Sequence, residues 1–352
     1  MKRTRTHAGA PKGLGAAAKS LLFVGLALLL VPALFAQETE VSYLEGFPEL
    51  RAASGQTYEL DFGDRLEQGD SVVTGRRDFV ELEQGEGTSI RVEPDTVFTL
   101  REVEEGGQRR SVMTNAVGSV SYRFNRLAGR EPRVGSAAVV AGIRGTELTV
   151  YSGSDGATLF LVETGLVEVT SGGESVELSE AQAVEVSAGQ PAGEVFEWKG
   201  RELDFSTWDE TRLEGFVEEP ARSVRLLQSR LEELAAGYQE YRTLWEELSA
   251  EFDRLSEELQ SMQQGDAREE FRTNEVLPLA NRASTQALNY RYYSLSALSL
   301  RRYVLGRMYM NMKTRTVMER NNEEFQSFLA EYEEFLRVFE AQITPGLVPA
   351  DI

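Results

Sequence analysis

The chain has 352 residues, 57 of them acidic and 37 basic, which gives a formal net charge of −20 at pH 7. It contains no cysteine and one histidine, His7. Beyond residue 36 there are 32 basic and 57 acidic residues, a net charge of −25 that repels nucleic acid and anionic lipid. Because neither cysteine nor histidine occurs beyond residue 36, that part of the chain cannot form zinc sites built on these residues, cysteine nucleophiles or Ser-His triads. We predict no catalytic residues, no metal, no cofactor and no enzymatic activity.

The N-terminal segment has the order of a bacterial signal peptide. Five basic residues between Lys2 and Lys19 are followed by an apolar run from Leu21 to Phe35 and by the small residue Ala36. This run of about 15 residues is shorter than the roughly 20 that a membrane-spanning helix needs. We predict a signal peptide over residues 1–36, cleaved after Ala36, and a periplasmic or secreted location. An uncleaved inner-membrane anchor is the alternative.

Residues 37–200 show the alternation of half-buried β-strands. Apolar and polar residues alternate in short bursts, for example at Val80 and Leu82 and at Val167 and Val169. Glycine-containing turns separate these bursts about every 8 to 12 residues. The pattern predicts an all-β domain that is a sandwich, a barrel or a solenoid. With the helices predicted downstream, the fold class is α+β multidomain.

After a junction over residues 201–217, the apolar period becomes that of a long helix. Its apolar residues are spaced alternately by three and four, which indicates a helix with one covered seam. The seam consists of Val224, Leu227, Leu231, Leu234, Tyr238, Tyr241, Trp245, Leu248, Phe252, Leu255, Leu259 and Met262. We expect a rod of roughly 58 Å, with Pro220 in its first turn.

A second helix is predicted directly after the first. Gly265 ends the first helix, and Asp266 is expected to cap the second with Glu269 three positions further on. So short a break predicts an antiparallel hairpin. The second helix runs to about Met318 and is expected to bend at Pro278.

A third helix is predicted to begin at Asn321 or Asn322. Residues 276–318 carry seven basic and no acidic side chains, whereas the helices on either side are acidic. The simplest arrangement packs the basic helix between the two acidic ones. We predict a three-helix antiparallel coiled coil over residues 218–345, followed by a tail over 346–352. Helices of the same chain or of a second copy can cover the seam, so a homo-oligomer is possible.

One segment of the β region resembles a known family. The sequence of residues 141–150, AGIRGTELTV, is similar to the central motif of the FecR domain, named for the periplasmic part of the iron-citrate signalling regulator. Three flanking segments, at residues 69–75, 80–82 and 162–169, agree with it in the same order. The resemblance covers roughly residues 60–190 and implies an extracytoplasmic β module.

The chain also departs from that family. Where the family has a Leu-x-x-Gly-Gln turn, residues 178–182 read LSEAQ. The regulators carry a cytoplasmic anti-sigma region before a membrane span, and here only about 20 residues precede the apolar run. Helices replace the C-terminal part by which the regulators meet a transporter. The resemblance therefore does not carry over sigma-factor control.

The motif supplies the candidate binding residues, Arg144, Gly145, Thr146 and Glu147. A ligand or peptide site centred on Arg144 is one interpretation. The other is that these residues pin a strand crossing, because Gly145 suits a turn with positive φ. The family mode of contact implies an extended partner strand added to a sheet edge.

Two aromatic patterns in the helices are also open to two interpretations. Tyrosines and arginines interleave over residues 290–309, which fits nucleic acid, a membrane surface or polyanion, or an intramolecular helix matched in charge. Export and acidic neighbours favour the last. The seam aromatics either line a small-molecule groove or are core residues opposing alanines. These alanines are Ala280, Ala283, Ala287 and Ala297. Trp198 and Trp208 are expected to hold the helices to the β module.

The sequence thus predicts a non-enzymatic exported FecR-domain protein. Its β module binds a protein or envelope partner, and its helical rod serves as a spacer or oligomeriser. The alternative is a structural, cell-wall-associated spacer. A carboxylate-dependent glycan hydrolase is a third hypothesis, since acidic residues are plentiful.

Overall fold

A computed structural model describes residues 38–85, 87–105, 108–125, 132–137, 139–198, 204–316 and 322–347. The predicted signal peptide with its cleavage site at Ala36 lies outside these residues, as does most of the predicted tail. Among the described helices, none combines the length and the apolar character needed to cross a bilayer.

The β region contains fifteen described strands in one connected sheet. They are β1 (Thr39–Glu45), β2 (Glu49–Arg51), β3 (Thr57–Glu59), β4 (Arg65–Leu66), β5 (Ser71–Val73), β6 (Phe79–Gln84), β7 (Thr88–Val92), β8 (Val97–Glu105), β9 (Gln108–Phe124), β10 (Arg133–Ser136), β11 (Val140–Ser152), β12 (Thr158–Ser171), β13 (Glu174–Leu178), β14 (Gln182–Val186) and β15 (Phe196–Glu197). The predicted all-β region followed by a helical region is confirmed.

The sheet folds back on itself because its long strands bend. The first half of β9 pairs with β8 and β10, and its second half pairs with β7 and β11. At the change of partners Gly118 has φ +96°, and a Cβ there would lie 2.6 Å from the Cα of Thr96. Only glycine fits this bend. The alternating apolar residues consequently face one shared core, which includes Val80, Leu82 and Val167.

The described part of the helical region contains six α-helices and three short segments of other type. They are α1 (Phe205–Glu218), α2 (Pro220–Ser261), α3 (Asp266–Phe271), a π-helical turn (Arg272–Val276), α4 (Leu277–Ser299), a second π-helical turn (Leu300–Leu305), α5 (Gly306–Thr316), α6 (Glu323–Gln342) and a 3-10 turn (Thr344–Gly346). From α3 to α5 these elements follow one another without a gap, so they form one long second helix.

Several local predictions are confirmed and others need correction. Pro220 is at the start of α2, and the Asn322 side chain caps α6 by accepting from the Phe325 N–H at 2.8 Å. Asp266, however, makes no capping bond, because it is the first residue of α3 and Gly265 occupies the cap position. The predicted capping box is therefore wrong. Helix α1, inside the predicted junction, is an element that the sequence analysis did not assign.

A π-helical turn lies just before Pro278, where the sequence predicts a bend. The turn Arg272–Val276 directly precedes α4, and Pro278 lies in the first turn of α4. Proline lacks an N–H and its ring clashes with the carbonyl four residues earlier. A wider π turn before it accommodates the proline without ending the helix.

The helical region has two parts, which we call the base and the arm. In the base, residues 220–239 of α2 pack against α4, the second π-helical turn and α6. Helix α6 runs parallel to α2, as shown by the pairs Arg225–Glu331 and Gln239–Gln342. The arm, from residue 240 to 290, continues as α2 paired with α3 and α4. The 22 residues of α2 from 240 to 261 extend it by roughly 33 Å.

The base lies against the β module, and this corrects the expected place of the basic helix. Arg101 of β8 donates hydrogen bonds to Leu295 O and to Ser296 Oγ of α4. Ala137 and Ala188 of the β region belong to the same apolar core as the base. The basic helix therefore does not lie simply between two acidic helices, because the β module covers one of its sides.

The seam aromatics are packed, and three of them contact tyrosines of α4. The rings of Tyr238 and Trp245 lie 6.2 and 5.2 Å from that of Tyr290, and Tyr241 stacks on Tyr293 at 5.5 Å. Tyr238, which makes one of these ring contacts, also belongs to the same buried cluster as Ala297. Edge and offset contacts between such rings stabilise the helix pair beyond burial alone.

Candidate functional site

The FecR-like motif lies at a double bend of β11 and β12. The pairing of these strands shifts between Arg144 and Glu147, where Gly145 has φ +59°. On the opposite strand Gly165 has φ +91°, and a Cβ there would lie 2.4 Å from Gly145 O. The two glycines therefore let both backbones bend at the same level of the sheet.

The side chains of the motif hold this bend. Thr146 is 1 % exposed, and its hydroxyl donates to Leu166 O at 3.0 Å and accepts from Leu166 N at 3.3 Å. Glu147 forms an ion pair with Arg123 of β9. The side chain of Arg144 lies outside the described part of the chain. In the described geometry, Gly145 and Thr146 hold the two strands together at the bend. Binding of a ligand or peptide by Arg144, Gly145, Thr146 and Glu147 stays a prediction.

The two tryptophans of the domain junction lie on the β module. Trp208 of α1 packs against Tyr151 and donates from Nε1 to Glu185 at 2.9 Å. Trp198 donates from Nε1 to Val162 O at 3.2 Å and belongs to the same apolar cluster. Trp208 therefore attaches α1 to the sheet, as expected for a structural role.

Among the described residues, a group of carboxylates beside Trp208 is the best candidate for acid–base chemistry. Arg212 bridges Asp155 and Glu185, both at 2.7 Å. Asp209 accepts from both the N–H and the hydroxyl of Ser154, at 2.6 and 2.8 Å. Burial raises the pKa of Asp155 against the opposing effect of Arg212. Through these contacts the carboxylates attach α1 to a turn of the β module, which is a structural role.

Within the described ranges, no group of three or more histidine, cysteine, aspartate or glutamate side chains is placed to hold a metal ion. The carboxylates instead pair with arginines or cap backbone N–H groups.

A free sheet edge with exposed aromatic residues is the most distinctive surface of the β module. Within the described sheet, β3 pairs only with β2 and β4 only with β1. The link between them stays against the same neighbours, because Leu60 donates to Pro48 O and Gly63 donates to Val41 O. Residues 57–66 therefore form one outer segment, which we call the free edge.

The aromatic residues on and beside the free edge are exposed to solvent. Phe62 is 75 % exposed and Tyr58 46 %, while Phe47 and Tyr43 of the adjoining segment are 76 % and 46 % exposed. Exposed apolar side chains that form a patch often mark a surface that contacts another molecule. Within the described sheet, this segment thus combines strands that pair on one side alone with exposed apolar rings.

The free edge is also acidic. Glu59, Asp61 and Asp64 lie on it, whereas its one basic residue, Arg65, already pairs with Glu38 and with Glu40 at 3.6 Å. The Tyr43 hydroxyl donates to Glu45 at 2.6 Å, and that bond raises the pKa of Tyr43. Acidic side chains and exposed rings together suit a partner segment with basic and apolar residues.

The free edge was not predicted from the sequence, because the local pattern does not show which side chains are exposed to solvent. The order Tyr58-Glu59-Leu60-Asp61-Phe62 alternates as in any half-buried strand. Only the pairing of the described strands shows that no further strand lies beside this segment. The signal available was the cluster of Tyr43, Phe47, Tyr58 and Phe62 within twenty residues.

Comparison with known proteins gave a partial structural match. No protein-family model matches the chain, and no curated protein matches it. Two crystal structures that match are of a "putative anti-sigma factor" from Parabacteroides distasonis, 17 % and 16 % identical in sequence. Each match covers 39 % of this chain and 63 % of that protein, with a TM-score of 0.32. The chain therefore spans less than two thirds of the length of these neighbours.

Proposed function

We propose that this protein is an exported, non-enzymatic binding protein whose β module receives an extended segment of a partner protein. The observation that carries this is the free edge, where β3 has no second strand partner within the described sheet and where Phe47 and Phe62 are both three-quarters exposed. An added strand would pair with the free edge through backbone hydrogen bonds. The exposed rings would supply the apolar contacts that make such binding strong.

The charge of the free edge defines the partner further. Three acidic residues and one paired arginine favour a segment that carries lysine or arginine between apolar residues. The FecR-like sequence motif supports the same mode of contact, since strand addition is the mode that the resemblance implies. In this proposal the arm sets the distance between the β module and other envelope components.

The test is site-specific photo-crosslinking in the intact cell. A photoreactive residue replaces Phe62, and a matched control replaces Leu244, which is 39 % exposed on the arm. We expect one protein adduct at position 62 and none at 244, with the crosslinked peptide containing basic residues. An adduct pattern that is the same at both positions contradicts the proposal.

A second measurement uses the purified protein and the partner so identified. The double change Phe47→Ser and Phe62→Ser should leave the fold intact, because both rings are largely outside the core. Loss of such anchors costs about 2 kcal/mol or more, roughly a 30-fold rise in Kd. Leu244→Ser is the control with unchanged Kd.

The structural spacer is the second candidate, and the length of the arm favours it. The arm extends α2 by roughly 33 Å beyond the base. Sedimentation of the purified protein with isolated cell wall, undiminished by Phe47→Ser and Phe62→Ser, would favour the spacer over strand binding.

A further inference from the structure

A cleft lies between the sheet and the helices α2 and α4. Its volume is about 540 Å³, within the range of small-molecule sites. Strands β10, β11 and β12 contribute Arg133, Gly142 and Glu168 to one wall, and α4 contributes Tyr292 and Tyr293 to the other. The cleft thus combines side chains of both charges with aromatic rings.

The strand register places a basic and an acidic residue on the same side of the sheet. Gly142 of β11 lies directly opposite Arg133 of β10 and directly opposite Glu168 of β12. Directly opposed residues of antiparallel strands have their side chains on the same face. Two strand spacings separate Arg133 from Glu168, which is roughly 10 Å. The two charged side chains therefore flank the glycine on the face that lines the cleft.

Gly142 leaves an open floor between these two side chains. It is exposed, its φ lies outside the left-handed region, and a Cβ built on it would meet no atom within 4 Å. Neither the backbone nor the packing therefore requires a glycine here, in contrast to Gly145 in the same motif, which has φ +59° at the bend. The missing side chain keeps this part of the cleft accessible.

The two charged residues suit opposite ends of one ligand. Glu168 is exposed and has Glu177 of β13 directly across from it. Like charges in that position destabilise a sheet, so a ligand ammonium beside Glu168 would relieve the repulsion. At the other side of Gly142, the guanidinium of Arg133 has five N–H donors. It can bind a carboxylate in addition to contacts within the protein.

The tyrosines of the opposite wall are held by ring contacts. Tyr293 stacks on Tyr241 at 5.5 Å, and Tyr292 meets Tyr293 edge-on at 5.1 Å. Gly237 of α2 permits this arrangement, because a Cβ there would lie 2.5 Å from the ring of Tyr293. Rings that are already fixed lose little freedom when an apolar group of a ligand packs against them.

We propose that this cleft binds a short peptide with free amino and carboxyl ends. Glu168 receives the ammonium, Arg133 the carboxylate, and Tyr292 and Tyr293 contact an apolar side chain. Two or three extended residues span about 7 to 10 Å, which matches the separation of the two charged residues. A neutral sugar would make no use of opposite charges at this spacing. The inference does not rest on the free edge, which consists of residues 57–66.

Calorimetry on the purified protein tests the proposal with alanine peptides of two, three and four residues. We expect saturable binding of dialanine or trialanine at one site. N-acetyl-trialanine and trialanine amide should each bind about tenfold more weakly or worse, because each lacks one charged end. Equal binding of the blocked and free peptides would overturn the proposal, as would binding of N-acetylglucosamine in their place or of no probe.

Two variants locate the site. Gly142→Val should abolish peptide binding with an unchanged Tm, because its side chain fills the floor of the cleft, meets no neighbour and suits a strand. Glu168→Gln should weaken trialanine binding about tenfold and leave the already weak binding of N-acetyl-trialanine unchanged, since that probe has no ammonium to lose.

Glu163→Gln is the matched control, because Glu163 is an exposed carboxylate of the same strand that does not line the cleft. It should bind trialanine as the unchanged protein does. Full affinity for trialanine in Gly142→Val or in Glu168→Gln would contradict the assignment. Because Glu168 is exposed, its variant is expected to fold and decides the outcome even if Gly142→Val does not.

Discussion

The base and the arm are built from the same seam of α2, yet they are buried to different degrees. In the base Leu231 and Tyr238 are fully buried, and the core there also contains residues of α6 and of the β region. In the arm the buried core consists of Leu255, Val276 and Leu279. A heptad pattern therefore shows which face of a helix is covered, but not how many elements cover it.

The largest expected difference between the two parts comes from truncating one leucine in each. Leu231→Ala should lower the free energy of unfolding by about 3 kcal/mol, because it leaves a cavity in a core closed on all sides. Leu255→Ala, at 9 % exposure in the arm, should cost about half as much, since neighbouring side chains and water can fill the space. Urea denaturation measures both. Equal losses would mean that the arm is packed as tightly as the base.

The next largest effect concerns the attachment of α1 to the β module. Arg212→Met leaves the buried Asp155 without its cation and should cost about 2 to 3 kcal/mol at neutral pH. Arg225→Met, at an exposed ion pair in the base, should cost at most about 0.5 kcal/mol.

The pH dependence of that variant has a definite sign. Burial already raises the pKa of Asp155, and loss of Arg212 removes a lowering influence, so the pKa rises further. A carboxyl with a folded pKa above its unfolded value binds protons more tightly in the folded state. The stability lost in Arg212→Met is therefore regained as the pH falls through that raised pKa towards about 4. A defect that grows at acid pH would contradict this assignment.

A smaller effect is expected at the bend of β11 and β12, which lies in the β module that supports the base. Gly165→Ala should cost about 2 kcal/mol, because a Cβ would lie 2.4 Å from Gly145 O and the φ is +91°. Gly173→Ala also has a positive φ, but no atom lies within 4 Å of its Cβ. It should cost about 1 kcal/mol from backbone strain alone. Thermal unfolding of both variants separates strain from collision.

The smallest expected effect compares the helix start in the base with that in the arm. Asn322→Ala removes the side-chain cap of α6 and should cost about 1 kcal/mol. Asp266→Ala removes only a charge near the N-terminus of α3 and should cost about 0.3 kcal/mol. A larger loss at Asp266 would restore the capping box that the structure does not show.

Much of the fold could be predicted because its signals are local. The alternation around Val80 and Leu82 and the seam through Leu231 and Leu255 reflect which face of each element is covered. Helix α1 was missed because Phe216 is the one buried residue among its 14, so its apolar periodicity is weak. Contacts of Trp208 and Arg212 with distant strands hold it instead, and no neighbouring residue predicts them.

The candidate sites were less accessible to sequence reasoning than the fold. The motif around Gly145 and Thr146 pointed to a strand crossing, and the structure shows that bend. The free edge and the burial of Arg101 could not be predicted, since both depend on which strands and helices become neighbours. In the sequence, Arg101 has the pattern of an ordinary strand residue. Its neighbour in the structure is α4, which follows nearly two hundred positions later in the chain.

The sequence by itself determined the two periods, the order of the β and helical regions, and the absence of cysteine and of histidine beyond residue 36. These follow from composition and from the geometry of single strands and helices. The tertiary structure decided that the basic helix lies on the β module, that Phe62 is exposed and that Arg101 is buried. Burial and exposure depend on contacts between distant parts of the chain, and no local pattern encodes them.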